Sequence, residues 1–394
     1  MPLSTTVRTG LAVLSLAGAA TSTLAQATFQ PIDLGGARAG LSVFCSHDGK
    51  AIGLSGEQGG IYRAMRWTQL DGAVPLAAPC TSDQAGESFA ISANGRYVAG
   101  QAYLPAGSPA FLWSAGSGLV VIGDMPGGPL ACWPEAVSDD GQVVAGVGNW
   151  EPYFLGQAFR WTPGGGFAGL GYLRPHYTYS DAVAMTADGS VIVGWSGLTG
   201  VEFRGFIWTQ ATGMVDLPAP TAFDGWYSPW GMTPDGAYIV GNYVHVDGRT
   251  IPIRWDSGGN ILDLGNVPGG PPVGAAWASS DDGNVIVGFD HYTYDATSES
   301  SIAMIWDPVN GPRDLKQVLE VQHGLNLTGW TLTSATDISG DGTVIVGVGI
   351  DPAGDSACWR VELPAKACTA DINKDGLVDF ADYLEFLNFF DAGC

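Results

Sequence analysis

The sequence predicts an all-β fold, a seven-bladed β-propeller closed by its own N-terminal strand. Three observations lead to this prediction. A unit of 46 to 48 residues recurs, with one longer interval of 59; glycine is abundant, at 58 of 394 residues; and the last unit lacks a strand that the N-terminus can supply. We expect a signal peptide at residues 1–27, the propeller at 28–363 and a small module at 364–394.

The first residues have the order of a secretory signal. Arg8 supplies a positive charge, residues 11–20 are apolar, and small residues around Ala25 and Ala27 offer cleavage sites. No later stretch reaches the roughly 18 apolar residues that a membrane helix needs. We therefore expect an extracellular bacterial protein, secreted or attached to the cell surface, with no transmembrane segment after signal removal.

Each unit opens with a hairpin. Its marker is an Asp-Gly or Asn-Gly pair between two apolar-alternating segments, a strong signal for a type I′ turn with positive φ at both central residues. These Asp and Asn residues are therefore interpreted as turn formers rather than ligands. The seven pairs are Asp48-Gly49, Asn94-Gly95, Asp140-Gly141, Asp188-Gly189, Asp235-Gly236, Asp282-Gly283 and Asp341-Gly342.

The second half of each unit has one tryptophan, followed by a turn and a short apolar segment. Two hairpins give four strands, the content of one propeller blade. We expect these tryptophans to fill the space between neighbouring sheets. They are Trp67, Trp113, Trp161, Trp208, Trp255, Trp306 and Trp359.

The ends of the repeat array favour a closed ring. The seventh unit stops after residues 359–363, whereas residues 29–35 form an orphan strand. Pairing this strand into the last blade would remove two sheet edges that invite aggregation. A β-solenoid is the alternative architecture.

The repeat also resembles a known family. The Ser/Thr-x-Asp-Gly turn, the Ala-Phe-Arg-Trp segment at 158–161, the Leu-Gly pair at 170–171 and the long insertion at 313–336 resemble the HAF-type extracellular repeat proteins of bacteria. The resemblance spans nearly all of residues 28–363. It implies an exported repeat protein and no particular biochemical activity.

The C-terminal module contains a candidate calcium loop. Oxygen-bearing side chains stand at loop positions 1, 3, 5, 9 and 12, a glycine stands at position 6, and a backbone carbonyl is available at position 7, which is the spacing of a calcium-binding loop. An apolar helix is expected to follow. The predicted calcium ligands are Asp371, Asn373, Asp375, Leu377, Asp379 and Asp382.

This module resembles one half of a dockerin, with Asp382 at the twelfth position. Dockerins ordinarily have two such loops and bind cohesin modules, so the resemblance implies a cohesin-like partner, whereas this chain has one loop. The final Gly393-Cys394 resembles the end of dockerin-like tails on planctomycete surface proteins, which implies calcium-dependent attachment to the cell surface. A disulfide between Cys368 and Cys394 is the alternative to an anchor at Cys394.

Charge and motif content narrow the function classes. The formal net charge of −23 disfavours nucleic acid as a partner, because phosphate binding needs a basic surface. The sequence contains no G-x-S-x-G nucleophile elbow of a hydrolase, no H-E-x-x-H zinc-binding helix and no Gly-rich phosphate-binding loop. In an exported protein the remaining cysteines, Cys45, Cys80, Cys132 and Cys358, suggest disulfides with three possible connectivities, of which we favour Cys80 with Cys132.

One face of the propeller is predicted to carry exposed aromatic residues on its loops. Such residues bury much area with little entropy loss, which suits a glycan or a cell-surface protein as ligand. We therefore expect a binding or interaction module; the alternatives are a secreted polysaccharide-active hydrolase or lyase and a structural surface-layer protein. The candidate ligand face comprises Trp150, Trp195, Trp226, Tyr227, Trp230, Tyr243 and Trp277.

Overall fold

The computed structural model of the chain describes residues 26–364, apart from 37, 59–60, 77–84, 129, 150–155, 199–201, 220–224 and 295–298, together with 380 and 382–384. Ala27–Leu363 form one compact unit. This unit consists of seven four-stranded antiparallel sheets, each in simple up-and-down order, which confirms the predicted seven-bladed propeller.

Six blades are built from consecutive strands. Blades 1 to 3 consist of β2 (Arg38–Cys45), β3 (Ala51–Gln58), β4 (Ile61–Thr68) and β5 (Gly72–Pro75); β6 (Ala85–Ile91), β7 (Tyr97–Tyr103), β8 (Ala110–Ser114) and β9 (Gly118–Gly123); and β10 (Trp133–Val137), β11 (Val144–Gly148), β12 (Gln157–Thr162) and β13 (Gly166–Gly169). Blades 4 to 6 consist of β14 (Tyr179–Met185), β15 (Val191–Leu198), β16 (Glu202–Thr209) and β17 (Gly213–Asp216); β18 (Trp226–Met232), β19 (Tyr238–Val244), β20 (Thr250–Asp256) and β21 (Ile261–Asp263); and β22 (Ala275–Ser279), β23 (Ile286–Tyr294), β24 (Glu299–Asp307) and β25 (Gly311–Asp314).

The seventh blade joins the two ends of the propeller. Its strands are β26 (Thr331–Ile338), β27 (Val344–Ile350), β28 (Ser356–Glu362) and β1 (Thr28–Pro31). Strand β1 pairs antiparallel with β28, from Thr28 opposite Glu362 to Pro31 opposite Trp359. Phe29 packs edge-on against Trp330 with ring centroids 5.0 Å apart. The predicted closure by the N-terminal strand is therefore confirmed.

The insertion after blade 6 contains a short helix, α1 (Leu315–Val321). Asp314 begins it by accepting the backbone N–H groups of Lys316 and Gln317. Leu315 and Leu319 are fully buried in a cluster with strand residues of blades 6 and 7. The helix thus extends the core between these two blades.

The repeated tryptophans form much of the core between the sheets. Each lies near the end of the third strand of its blade, where the neighbouring sheet covers it. Trp113 and Trp161 are partly buried. The other five are at most 8% exposed: Trp67, Trp208, Trp255, Trp306 and Trp359. The prediction that these residues are blade core is confirmed.

The Asp-Gly and Asn-Gly pairs form the expected hairpin turns, but the turn type differs from the prediction. Only the glycine has positive φ, for example +65° at Gly141, whereas a type I′ turn needs positive φ at the preceding Asp140 as well. Ser138 explains the difference. Its buried hydroxyl donates to Asp140 Oδ1 (2.7 Å) and accepts the N–H of Val143 (2.9 Å), which favours a longer turn. Equivalent Ser or Thr residues precede the other six turns.

The residues just before the turn Asp or Asn form a ring around one end of the propeller axis. We call it the turn-side ring: His47, Ala93, Asp139, Ala187, Pro234, Asp281 and Gly340. Backbone hydrogen bonds link it at five of the seven blade junctions, as from His47 N–H to the Ala93 carbonyl. At a sixth junction, Asn94 donates to Asp139 through its backbone N–H and its side-chain amide. Pro234 has no N–H to continue the pattern toward Asp281.

The cysteines of the propeller do not follow the predicted pairing. Cys45, Cys132 and Cys358 are buried free thiols. The suggested disulfide between Cys80 and Cys132 is therefore wrong, because the Cys132 thiol is free. Cys80 lies outside the described residues. Burial raises the pKa of the Cys132 thiol well above its ordinary value, so this side chain behaves as an apolar core residue.

Candidate functional site

The first strand of each blade, which we call the inner strand, has an irregularity beside the central axis. In six blades the pairing with the second strand skips one residue, which forms a β-bulge. A bulge leaves one residue unpaired and redirects its side chain. These residues, each five positions before the turn Asp or Asn, are Phe89, Glu135, Val183, Trp230, Trp277 and Thr336.

All six bulge residues line one central cavity of about 680 Å³. We call it the channel cavity; residues of all seven blades contribute to it. Trp230 is 40% exposed and its indole N–H donates to Asn242 Oδ1. Trp277 packs edge-on against Phe289, with ring centroids 5.0 Å apart. The cavity therefore combines accessible aromatic surface with a few oriented polar groups.

The wall between blades 3 and 4 contains two acidic residues. Glu135 lines the channel cavity, and Asp181, on the inner strand of the next blade, is 6% exposed. Tyr179 donates its hydroxyl to Asp181 Oδ2 (3.0 Å), whereas Asp181 Oδ1 is buried without a hydrogen-bond partner. Trp195, directly opposite Asp181 in the sheet, stacks on Tyr179 at 4.6 Å and has a buried indole N–H without a partner.

Burial dominates the electrostatics of this pair. It raises the pKa of Asp181 to about 7. Burial, followed by the charge of Asp181, raises the pKa of Glu135 well above its ordinary value. Two neighbouring carboxyl groups with these properties retain at least one proton at neutral pH, since ionising both would place two like charges in a poorly solvated site.

The other acidic residues of the cavity have close partners. His47 Nε2 lies 2.7 Å from Asp281 Oδ2. The His47 ring also packs directly over Gly340, where the Cβ of any other residue would lie 2.1 Å from Nε2. Asp337 accepts the N–H groups of Cys45 (2.9 Å) and Ile338 (2.8 Å), while burial raises its pKa to about 6. Asp281 and Asp337 therefore have structural partners that Glu135 lacks.

The predicted aromatic face divides into three groups. Trp230 and Trp277 line the channel cavity. Trp195 and Trp226 are partly buried and pack edge-on against the same Phe203 ring, at 5.0 and 5.7 Å. All four lie in strands rather than loops.

The remaining members of that face do not form an exposed surface. Tyr227 and Tyr243 are 1% and 7% exposed and belong to one hydrophobic core cluster. Tyr227 also donates its hydroxyl to the Leu217 carbonyl (2.9 Å). Their assignment to an exposed face was therefore wrong, because their rings fill the space between sheets. Trp150 lies outside the described residues.

Most of the predicted calcium loop also lies outside the described residues. This holds for Asp371, Asn373, Asp375, Leu377 and Asp379, and for Cys368 and Cys394. Asp382 lies in the helical residues 382–384 and is 3% exposed. Within the described part of the chain, no group of three His, Cys, Asp or Glu side chains could hold a metal ion, and no helix has the length and hydropathy to cross a membrane.

Sequence reasoning missed Phe89 and Glu135 as channel residues. A signal for them exists in the repeat itself. The position five residues before the turn Asp or Asn is occupied by Val, Phe, Glu, Val, Trp, Trp and Thr in the seven units, while the Ser or Thr three residues later is constant in type. Variation at one position of a regular repeat indicates a side chain that is free of the packing shared by all blades.

No family model matches the sequence, and no curated protein matches it. Among solved structures, an oligogalacturonate lyase from Vibrio parahaemolyticus is 11% identical, with a TM-score of 0.56 over 87% of this chain and 99% of that one. A prolyl endopeptidase is 12% identical, with a TM-score of 0.53 over 84% of this chain and 51% of that one.

TolB from Acinetobacter baumannii is 15% identical, with a TM-score of 0.41 over 56% of this chain, which spans about half (52%) of that protein's length. At 11% and 12% identity, the likeness to the lyase and the endopeptidase concerns the fold alone. The chain is therefore a seven-bladed β-propeller whose bulged inner strands surround a central cavity.

Proposed function

We propose that the protein is an extracellular binding module that holds a glycan in the channel cavity. The observation that carries this proposal is the exposure of Trp230 in a cavity that Trp277 also lines. Binding cavities for small ligands measure about 300–1,000 Å³ and combine aromatic walls with a few placed polar groups. The volume of about 680 Å³ suits a short glycan or the end of a longer one.

The charge of the cavity restricts the class of glycan. Its lining contains Glu135, Asp281 and Asp337 and no lysine or arginine among the described residues. The whole chain has a formal net charge of −23. A polyanionic chain would be repelled by this field, so neutral or basic glycans are favoured.

A glycan-array screen with the full chain tests the proposal. The screen is repeated with Trp230→Ala, Trp277→Ala and the control Trp226→Ala. Trp226 lies in the same strand as Trp230 but outside the cavity lining. We expect the first two variants to lose binding and the control to retain it. Binding that survives both channel substitutions would overturn the proposal.

A polysaccharide-active enzyme is the second candidate, favoured by Glu135 and Asp181. Paired carboxyl groups of which one keeps its proton are the usual acid and base of glycan cleavage. The solved lyase acts on oligogalacturonate, an acidic glycan, and that substrate class is disfavoured here by the cavity's charge. Incubating each bound glycan with wild-type protein and Glu135→Gln separates the candidates. Shortened products from the wild type alone would identify an enzyme.

We also propose that residues 364–394 bind calcium and attach the exported protein to the cell surface. The support is the oxygen-ligand spacing from Asp371 to Asp382 and the terminal Cys394. Calorimetric titration of the full chain with calcium should show one site that Asp371→Ala with Asp375→Ala abolishes. Equal calcium binding by the double variant would overturn this assignment.

A further inference from the structure

We infer that the ligand of the channel cavity has a protonated amine, which Glu135 binds directly while Asp181 stands behind it. This inference rests on the proposed glycan-binding function and names the ligand as an amino sugar with a free amine. It follows from the position of the two acidic residues, from their unused acceptor oxygens and from the absence of lysine and arginine in the described lining of the cavity.

Glu135 and Asp181 lie on the inner strands of the neighbouring blades 3 and 4. Glu135 occupies the bulge of the blade 3 inner strand and therefore points away from the regular ladder. Its neighbour Ala136 packs in the same core cluster as Ala182, the neighbour of Asp181. The two inner strands thus bring both acidic side chains to one stretch of channel wall.

Both acidic groups have unused acceptor capacity. Burial and the charge of Asp181 act on Glu135 with no hydrogen bond from the described residues. Asp181 Oδ1 is buried without a hydrogen-bond partner. A buried carboxylate oxygen without a donor costs free energy that a ligand donor can recover. An ammonium group has three N–H donors and no acceptor, which suits the carboxyl oxygens of Glu135 and Asp181.

Among the described residues that line the cavity, no basic side chain pairs with Glu135. Lysine and arginine are absent from the described lining of the cavity, and its one histidine, His47, is engaged with Asp281. A metal ion is a poorer fit than an amine, because two carboxyl groups fall short of the six or more oxygens that calcium takes. A single positive charge would match the single negative charge that the pair has when one of its two carboxyl groups is ionised.

Binding then has a defined proton balance. Below neutral pH both carboxyl groups of the free pair keep their protons, since burial raises the pKa of Asp181 to about 7 and raises that of Glu135 well above its ordinary value. When the ligand's ammonium binds, its positive charge favours ionisation of one of the two carboxyl groups, and that proton leaves to the buffer. The ligand keeps its own proton, so one ion pair forms and about one proton is released per amine bound.

Isothermal titration of the full chain tests this inference with two matched ligands, the trisaccharide of glucosamine and its N-acetylated counterpart. We expect the amine form to bind at least about 10-fold more tightly, as charged hydrogen bonds predict. Titration at about pH 6, in buffers of different ionisation enthalpy, should show release of up to about one proton. Glu135→Gln should abolish both the preference and the proton release.

Two further variants distinguish the possible outcomes. Asp281→Asn removes an acidic group that already has a partner in the cavity, and we expect it to keep the amine preference. Asp181→Asn should weaken that preference, which provides a second measurement if Glu135→Gln folds poorly. Circular dichroism of each variant verifies the fold.

The inference and the proposed function can fail separately. Equal binding of both trisaccharides, unchanged in Glu135→Gln but lost in Trp230→Ala, would overturn the amine inference and support the glycan proposal. An amine preference that survives Trp230→Ala and Trp277→Ala would overturn the aromatic glycan site and leave the amine subsite standing. If the wild type binds neither trisaccharide, the amino-sugar assignment is overturned.

Discussion

Replacing Asp181 by asparagine should stabilise the propeller at alkaline pH and have little effect at acidic pH. Burial raises the pKa of Asp181 from its ordinary 3.8 to about 7. The folded protein therefore holds this proton more tightly than the unfolded chain, so stability decreases as pH rises from about 4 to about 7 and then levels off. At about 1.4 kcal/mol per pH unit, the cost above pH 7 is roughly 4 kcal/mol. Asparagine has no such cost.

Urea unfolding followed by tryptophan fluorescence, at about pH 5 and about pH 8, measures this difference. The control is Asp188→Asn, in the turn of the same blade. Hydrogen bonds from Thr186, and then Ser190, lower the pKa of the Asp188 carboxyl group. Its replacement should therefore destabilise the protein at both pH values, an effect lost only as pH falls below about 4. The reasoning is refuted if Asp181→Asn is no more stable than the wild type at about pH 8.

Three further substitutions test the fold. Phe29→Ala should lower the free energy of unfolding by about 2 kcal/mol, less than for a fully buried ring, since Phe29 is partly buried; an unchanged urea midpoint would contradict its role in closing the ring. Ser138→Ala leaves the N–H of Val143 without its acceptor and should cost about 1–3 kcal/mol, seen as a lower thermal midpoint. Gly340→Ala displaces the ring of His47 and should cost about 1–3 kcal/mol by urea unfolding, whereas wild-type stability would show that the ring moves freely.

The fold could be predicted from the sequence because each blade repeats the same local chemistry. Turn glycines, alternating apolar segments and one tryptophan per unit fix the strands, and the orphan strand at residues 29–35 fixes the closure. The turn type was predicted wrongly because the Asp-Gly signal is shared by two kinds of turn. The buried hydroxyl of Ser138, like its equivalents in the other blades, favours the longer turn over the type I′ turn. It does so through hydrogen bonds to Asp140 and Val143, which form only once the two strands are paired.

The site was harder to predict because it depends on bulges. Trp230 and Trp277 were selected for their residue type, and Glu135 was passed over as one acidic residue among 39 Asp and Glu. A bulge shifts register by one residue and so changes which side chain points to the axis. Tyr227 and Tyr243 show the converse, since aromatic residues of the same blade face a neighbouring sheet.

Pro234 leaves the turn-side ring without a backbone hydrogen bond between blades 5 and 6. Backbone N–H groups of Asp139 and Ala187 bridge their blade junctions, but Pro234 has none to offer Asp281. Trp230 and Trp277 belong to the two blades that meet at this junction. Amide protons near this junction should therefore exchange with solvent through local openings of lower free energy than at the junctions that have the backbone hydrogen bond. A closed circular scaffold would then have a compliant joint between the two blades that contribute Trp230 and Trp277 to the channel cavity.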